Sequence, residues 1–185
     1  MNKMIRHLKN TPSMILIPKF KNLASLRLVV YTDASFANLK DGGSQGAHVV
    51  LLTDGDRCCP LVWHSRRIKR VVKSTLAAET LSLVEGCEAA IMLSRLIAEV
   101  VTGDSKSRMS ITCLTDNKNL YETAQTTHTL EEKRLLVEMG IVREMVAKKE
   151  IQLMWISTEH QLSDVLTKQG ASGVKLREVM EQGRL

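Results

Sequence analysis

Aromatic residues are scarce in this sequence of 185 residues: Phe, Trp and Tyr together make up 3% of it. Proteins that bind single-stranded nucleic acid without sequence preference stack bases on aromatic side chains, so this composition argues against that class. The scarcity also means that a hydrophobic core must consist of Leu, Ile, Val, Ala and Met. No apolar run reaches the ~18 residues of a membrane-spanning helix, and the N-terminal residues lack the apolar stretch of a secretory signal. We therefore expect no membrane partner.

Cysteine is also sparse, with four residues, Cys58, Cys59, Cys87 and Cys113. They form no CxxC pair, and the adjacent Cys58 and Cys59 have no His or Cys partner at zinc-finger spacing. The pattern favours reduced, structural thiols in an intracellular protein.

The sequence does have an ordinary globular composition, with 44% hydrophobic and 25% charged residues. Its length suits one domain with a short appendage, and is sufficient for a single core. The formal net charge is +6 and the pI about 9.3. A basic balance favours a polyanionic partner such as nucleic acid. A soluble basic protein without such a partner is an equally good interpretation of so modest a charge.

Hydrophobic patterning predicts the order strand, strand, strand, helix, strand, helix, helix, strand, helix. The predicted strands are 26–33, 48–53, 60–65, 109–115 and 151–156. A long helix follows the third strand, and the other predicted helices are 117–125, 130–149 and 161–168. The first three strands are joined by short polar turns and so should form an antiparallel meander. The later strands alternate with helices, which indicates parallel pairing through right-handed crossovers. The sequence thus predicts an α/β fold with a mixed five-stranded sheet flanked by helices.

Local signals refine this prediction. Glycines 42, 43 and 46 indicate a turn after the first strand, and residues 54–56 (Asp-Gly-Asp) indicate a hairpin turn. Ser74 or Thr75 can cap the long helix, and Gly103 can end it. Trp63 and Trp155 lie in predicted strands and are expected in the core.

Two acidic residues follow predicted strands directly. Asp33 ends the first strand and Asp116 ends the fourth. Each residue by itself is more typical of a turn or a helix cap. If the two strands are neighbours, however, both carboxylates lie at the same edge of the sheet, where open α/β folds place their sites. Mutually repelling carboxylates need a cation, and Mg²⁺ prefers oxygen ligands.

Two further acids can reach that edge. Glu79 lies near the start of the long helix among small residues that allow close packing on the sheet, and Asp164 follows the fifth strand. The alternative for each is an acid placed near a helix N-terminus by the helix dipole, and for the isolated residue that is the commoner role. Four acids from four elements would suffice for two bridged metal ions, which activate water and stabilise the leaving oxygen.

At these residues the chain resembles the ribonuclease H of copia-type retrotransposons, over nearly its whole length from about Met1 to Lys168. The segments that carry the resemblance are Thr32–Ala37, Trp63–Arg67, Ser74–Glu79, Thr115–Asn117, Arg143–Glu144, Trp155–Thr158 and Gln161–Lys168. The opening segment Met4–Pro12 resembles the end of the reverse-transcriptase connection that precedes this domain. The chain thus resembles a fragment of a Pol polyprotein, or a relic reading frame that starts inside one.

The resemblance implies a ribonuclease H-like domain over residues 25–185, preceded by a connection remnant over residues 1–24. It implies that Asp33, Glu79, Asp116 and Asp164 are the catalytic, metal-binding residues. The cofactor would be two Mg²⁺ ions, with Mn²⁺ able to substitute. The implied reaction cuts the RNA strand of an RNA–DNA hybrid and leaves a 3′-hydroxyl and a 5′-phosphate. The implied partners are the hybrid and the reverse-transcriptase domain of the same polyprotein, in cytoplasmic retrotransposon particles.

Nucleic-acid contacts are expected near these acids. The densest basic stretch lies just before the long helix, where phosphate contact and an ordinary solvated loop are about equally favoured. Ser35, Asn117 and Lys118 are weaker candidates, since a turn or cap role is the simpler interpretation for the first two. His160 stands four residues before Asp164, closer than the loop histidine of cellular and retroviral members, and a solvent-exposed role is favoured for it. The predicted basic contacts are Arg66, Arg67, Lys69, Arg70 and Lys73.

Two alternatives stay open. A decayed or domesticated module could keep the fold and bind nucleic acid, or support a polymerase, without cutting. Integrases and junction resolvases place similar acids on a similar sheet, so the fold alone does not fix the chemistry.

Overall fold

The computed structural model describes residues 14–104, 106–126 and 132–185. Most of the predicted connection remnant, residues 1–24, lies outside these ranges. Within them, no helix has both the length and the apolarity to span a membrane. The four cysteines are buried and free.

The described residues form a mixed five-stranded sheet in the order β3-β2-β1-β4-β5. Strands β1, β2 and β3 pair antiparallel, and β1 pairs parallel with β4, which pairs parallel with β5. This confirms the predicted fold class. The strands are β1 (Arg27–Ser35), β2 (Gln45–Thr53), β3 (Cys58–Arg67), β4 (Ser110–Thr115) and β5 (Gln152–Trp155). The helices are α1 (Thr75–Thr102), α2 (Lys118–Gln125), α3 (Lys133–Ala147), α4 (Asp164–Thr167) and α5 (Val174–Gln182).

The long helix α1 begins and ends where the sequence predicts. The Ser74 side chain accepts a hydrogen bond from the Ala77 amide at 3.1 Å, which satisfies one of the free N–H groups of the first turn. Gly103 adopts the left-handed conformation with φ of 72° and donates its amide to the Glu99 carbonyl, a conformation that glycine adopts without strain. These caps fix the position of the helix along the sequence, and with it the position of Glu79.

Apolar side chains cover both faces of the sheet. One buried cluster joins β1, β2 and β4 to α1, α2 and α3, and the other joins the opposite face to α5. Helix α1 approaches the sheet closely because residue 86 is glycine. A Cβ atom there would lie 2.8 Å from Thr32 Cγ2 and 3.2 Å from His48 Cβ, so even alanine would force the helix and sheet apart.

Three expectations about individual residues are wrong. Gly46 was expected in the turn, but it lies within β2 opposite Ala34, because the β1–β2 ladder continues to Ser35. Trp63 and Trp155 were expected in the core, but they are 51% and 45% exposed. Both belong to edge strands, β3 and β5, where no further strand covers the side chain.

A β-bulge interrupts the pairing of β2 with β3. Val50 pairs with Val62 but Leu51 pairs with Pro60, so Leu61 is the extra residue. The bulge shifts the register of the rest of β3 and places His64 opposite His48.

Candidate functional site

Three acidic residues that are remote in the sequence meet at one end of the sheet. Asp33 comes from the end of β1, Glu79 from the second turn of α1, and Asp116 follows β4 directly. One carboxylate oxygen from each of the three lies within 4.8 Å of the other two. The parallel pairing of β1 with β4 accounts for this, since neighbouring parallel strands end at the same edge.

Asp33 is almost fully buried, with 1% of its surface exposed. Burial raises the pKa of its carboxyl to about 6, although a hydrogen bond from Thr167 and the charge of Lys168 oppose the rise. The hydroxyl of Ser82 lies 2.9 Å from the Asp33 carbonyl oxygen and so anchors α1 to the strand beside this carboxylate.

Glu79 is also buried, with 4% exposed. Its Oε2 atom has no hydrogen-bond partner among the described residues. Burial raises the pKa of Glu79 to about 9, and the nearby Asp33 and Asp116 add to the rise. A buried carboxylate oxygen without a donor is costly for a fold, and a cation is the kind of group that would satisfy it.

Asp116 is half-buried and is oriented from two sides. The Thr158 hydroxyl donates to Asp116 Oδ2 at 2.8 Å, and the Trp155 indole N–H donates to the Asp116 carbonyl oxygen at 3.0 Å. The exposed edge position of Trp155 therefore serves to fix the backbone at this acid.

Asp164 lies beside the cluster but outside it. Its Oδ1 is 2.6 Å from the Lys168 ammonium, which is also 3.5 Å from Asp33 Oδ1. Burial alone would lower the pKa of Lys168, but the hydrogen bond to Asp164 and the charge of Asp33 raise it above its ordinary value. Of the four predicted acids, the structure thus brings three together and joins the fourth to them through a lysine.

Sequence reasoning did not single out the residues that support these acids. Thr158, Gln161, Thr167 and Lys168 all come from the segment that follows β5. Gln161 donates to the Thr32 carbonyl at 2.9 Å and so anchors this segment to β1. The signals available in the sequence were the i,i+4 spacing of Asp164 and Lys168 and the resemblance carried by Trp155–Thr158 and Gln161–Lys168. Neither gives the individual contacts, which depend on the path of a loop.

The basic stretch predicted to contact nucleic acid begins at the same end of the sheet. Arg66 and Arg67 close β3 opposite the start of β2. Its three arginines are engaged in ion pairs, Arg66 with Glu85, Arg67 with Asp41 and Arg70 with the largely buried Glu138. Lys69 and Lys73 are exposed, and neither has an ion-pair partner within the described ranges.

The weaker candidates take varied positions. Ser35 is half-buried at the end of β1. Asn117 caps α2, its side chain accepting from the Leu120 amide at 2.9 Å, as the simpler interpretation predicts. Lys118 is exposed, and its Nζ atom lies 3.7 Å from Oε1 of Glu122 in a salt bridge. His160 is exposed in a short 3-10 turn, Thr158–His160.

The acidic cluster is therefore a set of oxygen donors with more negative charge than the protein itself neutralises. Three convergent carboxylates, one with an unsatisfied buried oxygen, suit a hard divalent cation such as Mg²⁺.

Sequence comparison relates the chain to transposon proteins. It is 26% identical over 169 residues to the retrovirus-related Pol polyprotein from transposon RE1 of Arabidopsis thaliana, and 25% identical over 169 residues to that from transposon RE2. Each match covers 91% of this chain but 11% of the polyprotein, so the chain spans a small part of these relatives. No protein-family model matches the chain.

Solved structures with a similar fold include ribonuclease H domains. The N-terminal RNase H domain of a Mycobacterium tuberculosis protein superposes with a TM-score of 0.56 at 18% identity, covering 77% of this chain and 91% of that one. LC11-RNase H1, solved in complex with an RNA/DNA hybrid, has a TM-score of 0.57 at 17% identity, and the match covers 76% of this chain and 94% of that one. A foamy viral protease–reverse transcriptase, also solved with an RNA/DNA hybrid, has a TM-score of 0.52 at 13% identity, and the match covers 99% of this chain and 23% of that one. The chain therefore has the ribonuclease H fold, and its sequence relatives are the Pol polyproteins of Arabidopsis transposons.

Proposed function

We propose that the chain is the ribonuclease H of a copia-type retrotransposon polyprotein and cuts the RNA strand of RNA–DNA hybrids with two divalent metal ions. One observation carries the proposal. Asp33, Glu79 and Asp116 come from three separate elements, yet one carboxylate oxygen of each lies within 4.8 Å of the other two. The Oε2 atom of Glu79 is buried without a hydrogen-bond donor among the described residues. The cutting of hybrids by a protein of this fold agrees with the hybrid complexes of two structural neighbours.

In this proposal Asp33, Glu79 and Asp116 would hold the first Mg²⁺, and Asp164, if freed from its ion pair with Lys168, would be a ligand for the second. When bound, such ions lower the pKa of a coordinated water and stabilise charge on the leaving oxygen. Mn²⁺, with the same preference for oxygen ligands, is expected to substitute. The products are a 3′-hydroxyl and a 5′-phosphate.

The protein side chains position the substrate. Lys69 and Lys73 contact phosphates of the hybrid, which fixes its register without reading its sequence. Ser35 and the amide group of Asn117 lie beside the acids and contact the backbone, where the 2′-hydroxyl distinguishes RNA from DNA. The reverse-transcriptase domain of the same polyprotein is the expected partner, with residues 1–24 as the remnant of the connection to it.

Incubation of the purified chain with labelled substrates and Mg²⁺ tests this function. We expect cutting of the RNA strand of a hybrid, with much slower cutting of duplex DNA and single-stranded RNA. Binding of the hybrid without cutting would favour the decayed or domesticated module, for which the ion pair of Asp164 with Lys168 is the supporting observation. Preferred cutting of duplex DNA would favour integrase-like chemistry on this fold.

Replacement of Lys168 by glutamine is expected to lower the Mg²⁺ concentration that gives half-maximal cutting. The ammonium lies between Asp164 and Asp33 and therefore competes with a dication for both. A partly exposed charge pair is worth up to about 1 kcal/mol, so loss of one such pair should lower the half-maximal Mg²⁺ concentration by up to about fivefold. Initial rates over a Mg²⁺ titration measure it.

Lys175→Gln is the matched control, because Lys175 lies on the same segment but donates to the Glu159 carbonyl instead of an acid of the cluster. A Mg²⁺ requirement that stays the same, or rises, in Lys168→Gln would contradict competition between lysine and metal.

The double variant Lys69→Gln, Lys73→Gln is expected to bind hybrid more weakly at every sequence. Each lost phosphate contact reduces the slope of log affinity against log salt by about 1, so the slope should become less steep by about 2. Fluorescence anisotropy over a salt series measures both affinity and slope. The matched control is the double variant Lys19→Gln, Lys21→Gln, which removes the same two positive charges from the opposite end of the sheet, near the β2–β3 turn. It should leave the slope of log affinity against log salt unchanged. Equal slopes for the two double variants would exclude contact at Lys69 and Lys73.

A further inference from the structure

A second group of metal-ligating side chains lies on the β2–β3 hairpin and α1. It consists of His48 on β2, His64 on β3 and Glu85 on α1, and one ligand atom from each lies within 4.8 Å of the other two. Glu85 follows Glu79 by six residues on the same helix, which is about 9 Å along the axis. The group is therefore separate from the acidic cluster, and it has a different chemistry, with two imidazoles and one carboxylate.

The β-bulge in β3 creates the histidine pair. It makes His64 the direct cross-strand partner of His48, and the two ring centroids are 5.4 Å apart with the planes inclined at 53°. His48 is 5% exposed, and no hydrogen bond to either imidazole is present within the described part of the chain. An imidazole that has no hydrogen-bond partner in the protein is a ready metal ligand.

Glu85 completes the group from the helix side. Its carboxylate forms a salt bridge through Oε1 with Arg66 Nη2 at 2.8 Å. The side chains of both residues are nearly half exposed, so this pair is worth at most about 1 kcal/mol. It uses one of the two carboxylate oxygens and leaves the other for a cation.

We propose that His48, His64 and Glu85 form a binding site for a transition-metal dication of the Zn²⁺ class, which would tie α1 to the β2–β3 hairpin. Two histidines and one glutamate are a known ligand set for zinc, with a water in the fourth position. Imidazole nitrogen favours Zn²⁺, Ni²⁺ and Cu²⁺, whereas Mg²⁺ prefers oxygen, so the two sites select different ions. With bonds of about 2.1 Å, ligand atoms in a tetrahedral site lie about 3.4 Å apart. The three ligand atoms, which lie within 4.8 Å of one another, must therefore close by up to about 1.4 Å, which side-chain rotation of the partly exposed His64 and Glu85 can accommodate.

Binding at this site does not depend on hybrid cutting. The metal would join the helix that carries Glu79 to the strand next to Asp33, and it should therefore raise the melting temperature as ligand binding to the folded state does. A bound metal would thus link α1, β2 and β3 and limit the movement of the helix that carries Glu79 relative to the sheet.

Zinc titration in the presence of excess Mg²⁺ tests the proposal. We expect saturable binding of one Zn²⁺ per chain by calorimetry, a rise in melting temperature, and visible absorption of bound Co²⁺ typical of nitrogen ligands. Loss of a second-shell group costs about 10- to 100-fold in metal affinity, so His64→Gln, which removes a direct ligand, should cost at least about tenfold. Arg66→Gln should instead tighten binding, because it removes a competing positive charge.

Two control variants and one further ligand variant locate the ion. Asp33→Asn, which weakens the acidic cluster, and His160→Gln, which removes an exposed histidine elsewhere, should leave zinc affinity unchanged. Glu85→Gln should weaken it, and circular dichroism checks that each variant is folded. Absence of saturable zinc binding by the unmodified chain would overturn the proposal. Undiminished binding by His64→Gln, or binding that Asp33→Asn abolishes, would overturn it as well.

Discussion

Asp116→Asn is expected to reduce Mg²⁺-dependent cutting of an RNA–DNA hybrid by at least about 10³-fold, since a bound metal supplies several kcal/mol of transition-state stabilisation. The substitution removes one negative ligand from a set of three. It should not unfold the chain, because Asp116 is half-buried and the asparagine oxygen can still accept the Thr158 hydrogen bond. Initial rates with a hybrid labelled on the RNA strand measure the effect.

Glu88→Gln is the matched control, because Glu88 is exposed on α1 and lies away from the cluster. It should cut at the normal rate. Hybrid affinity, measured without a divalent metal, should be the same for both variants, since the proposed phosphate contacts lie elsewhere. An Asp116→Asn variant that cuts within about tenfold of the unmodified chain would be incompatible with metal catalysis at this cluster.

Glu79→Gln is expected to change activity and stability in opposite directions. Cutting should be lost, since a neutral amide replaces a ligand. The metal-free protein should become more stable, because the substitution removes a buried acid beside two other carboxylates and supplies an amide that can donate to them. Relief of an unsatisfied buried group is worth about 1–3 kcal/mol. For a chain of this size, that corresponds to a rise in melting temperature of several degrees.

The stability difference should depend on pH. The pKa of Glu79 is about 9 in the folded protein against an ordinary value of 4.5, so at neutral pH the folded state holds a proton that the unfolded chain has released. The contribution of Glu79 to the stability of the metal-free protein is then most favourable below pH 4.5 and falls as the pH rises toward 9. Asp33, with a pKa of about 6 against 3.8, contributes in the same direction between those two values.

Thermal unfolding in EDTA at a series of pH values tests this expectation. The advantage of Glu79→Gln over the unmodified chain should grow from pH 5 to pH 9, while Glu88→Gln should follow the unmodified chain throughout. Added Mg²⁺ should stabilise the unmodified chain more than Glu79→Gln. A melting temperature that is lower in Glu79→Gln at pH 8 would show that the carboxylate is satisfied in the folded protein and is not held for a cation.

The fold could be predicted largely from the sequence because its signals are local. The apolar runs that form strands, the Ser74 cap and the Gly103 terminus each act within a few residues. The exposed Trp63 and Trp155 were mispredicted because exposure depends on whether a strand is at the edge of the sheet, and strand order is a tertiary property. Gly46 was mispredicted because glycine is permitted both in turns and in strands, and the length of the β1–β2 ladder decides between them.

The candidate site was only partly predictable. Strand ends place Asp33 and Asp116, so a sequence pattern suffices for them. The separation of Asp164 from the cluster depends on the Lys168 ion pair, and no periodic pattern encodes whether a lysine turns toward one acid or another. The histidine pair was not predictable either. An unbroken β2–β3 register would place Trp63 opposite His48, and only the bulge at Leu61 brings His64 there.

Gly86 gives the acidic cluster an unexpected dependence. The residue lies seven positions beyond Glu79 on α1, about 10 Å along the axis, and touches no carboxylate. Yet the absence of its side chain sets how near the helix lies to Thr32, which is adjacent to Asp33 in β1. The distance between Glu79 and Asp33 therefore depends on a glycine two helical turns away, where the helix and the sheet pack closely. A larger side chain at residue 86 would move Glu79 away from Asp33 without contacting either carboxylate.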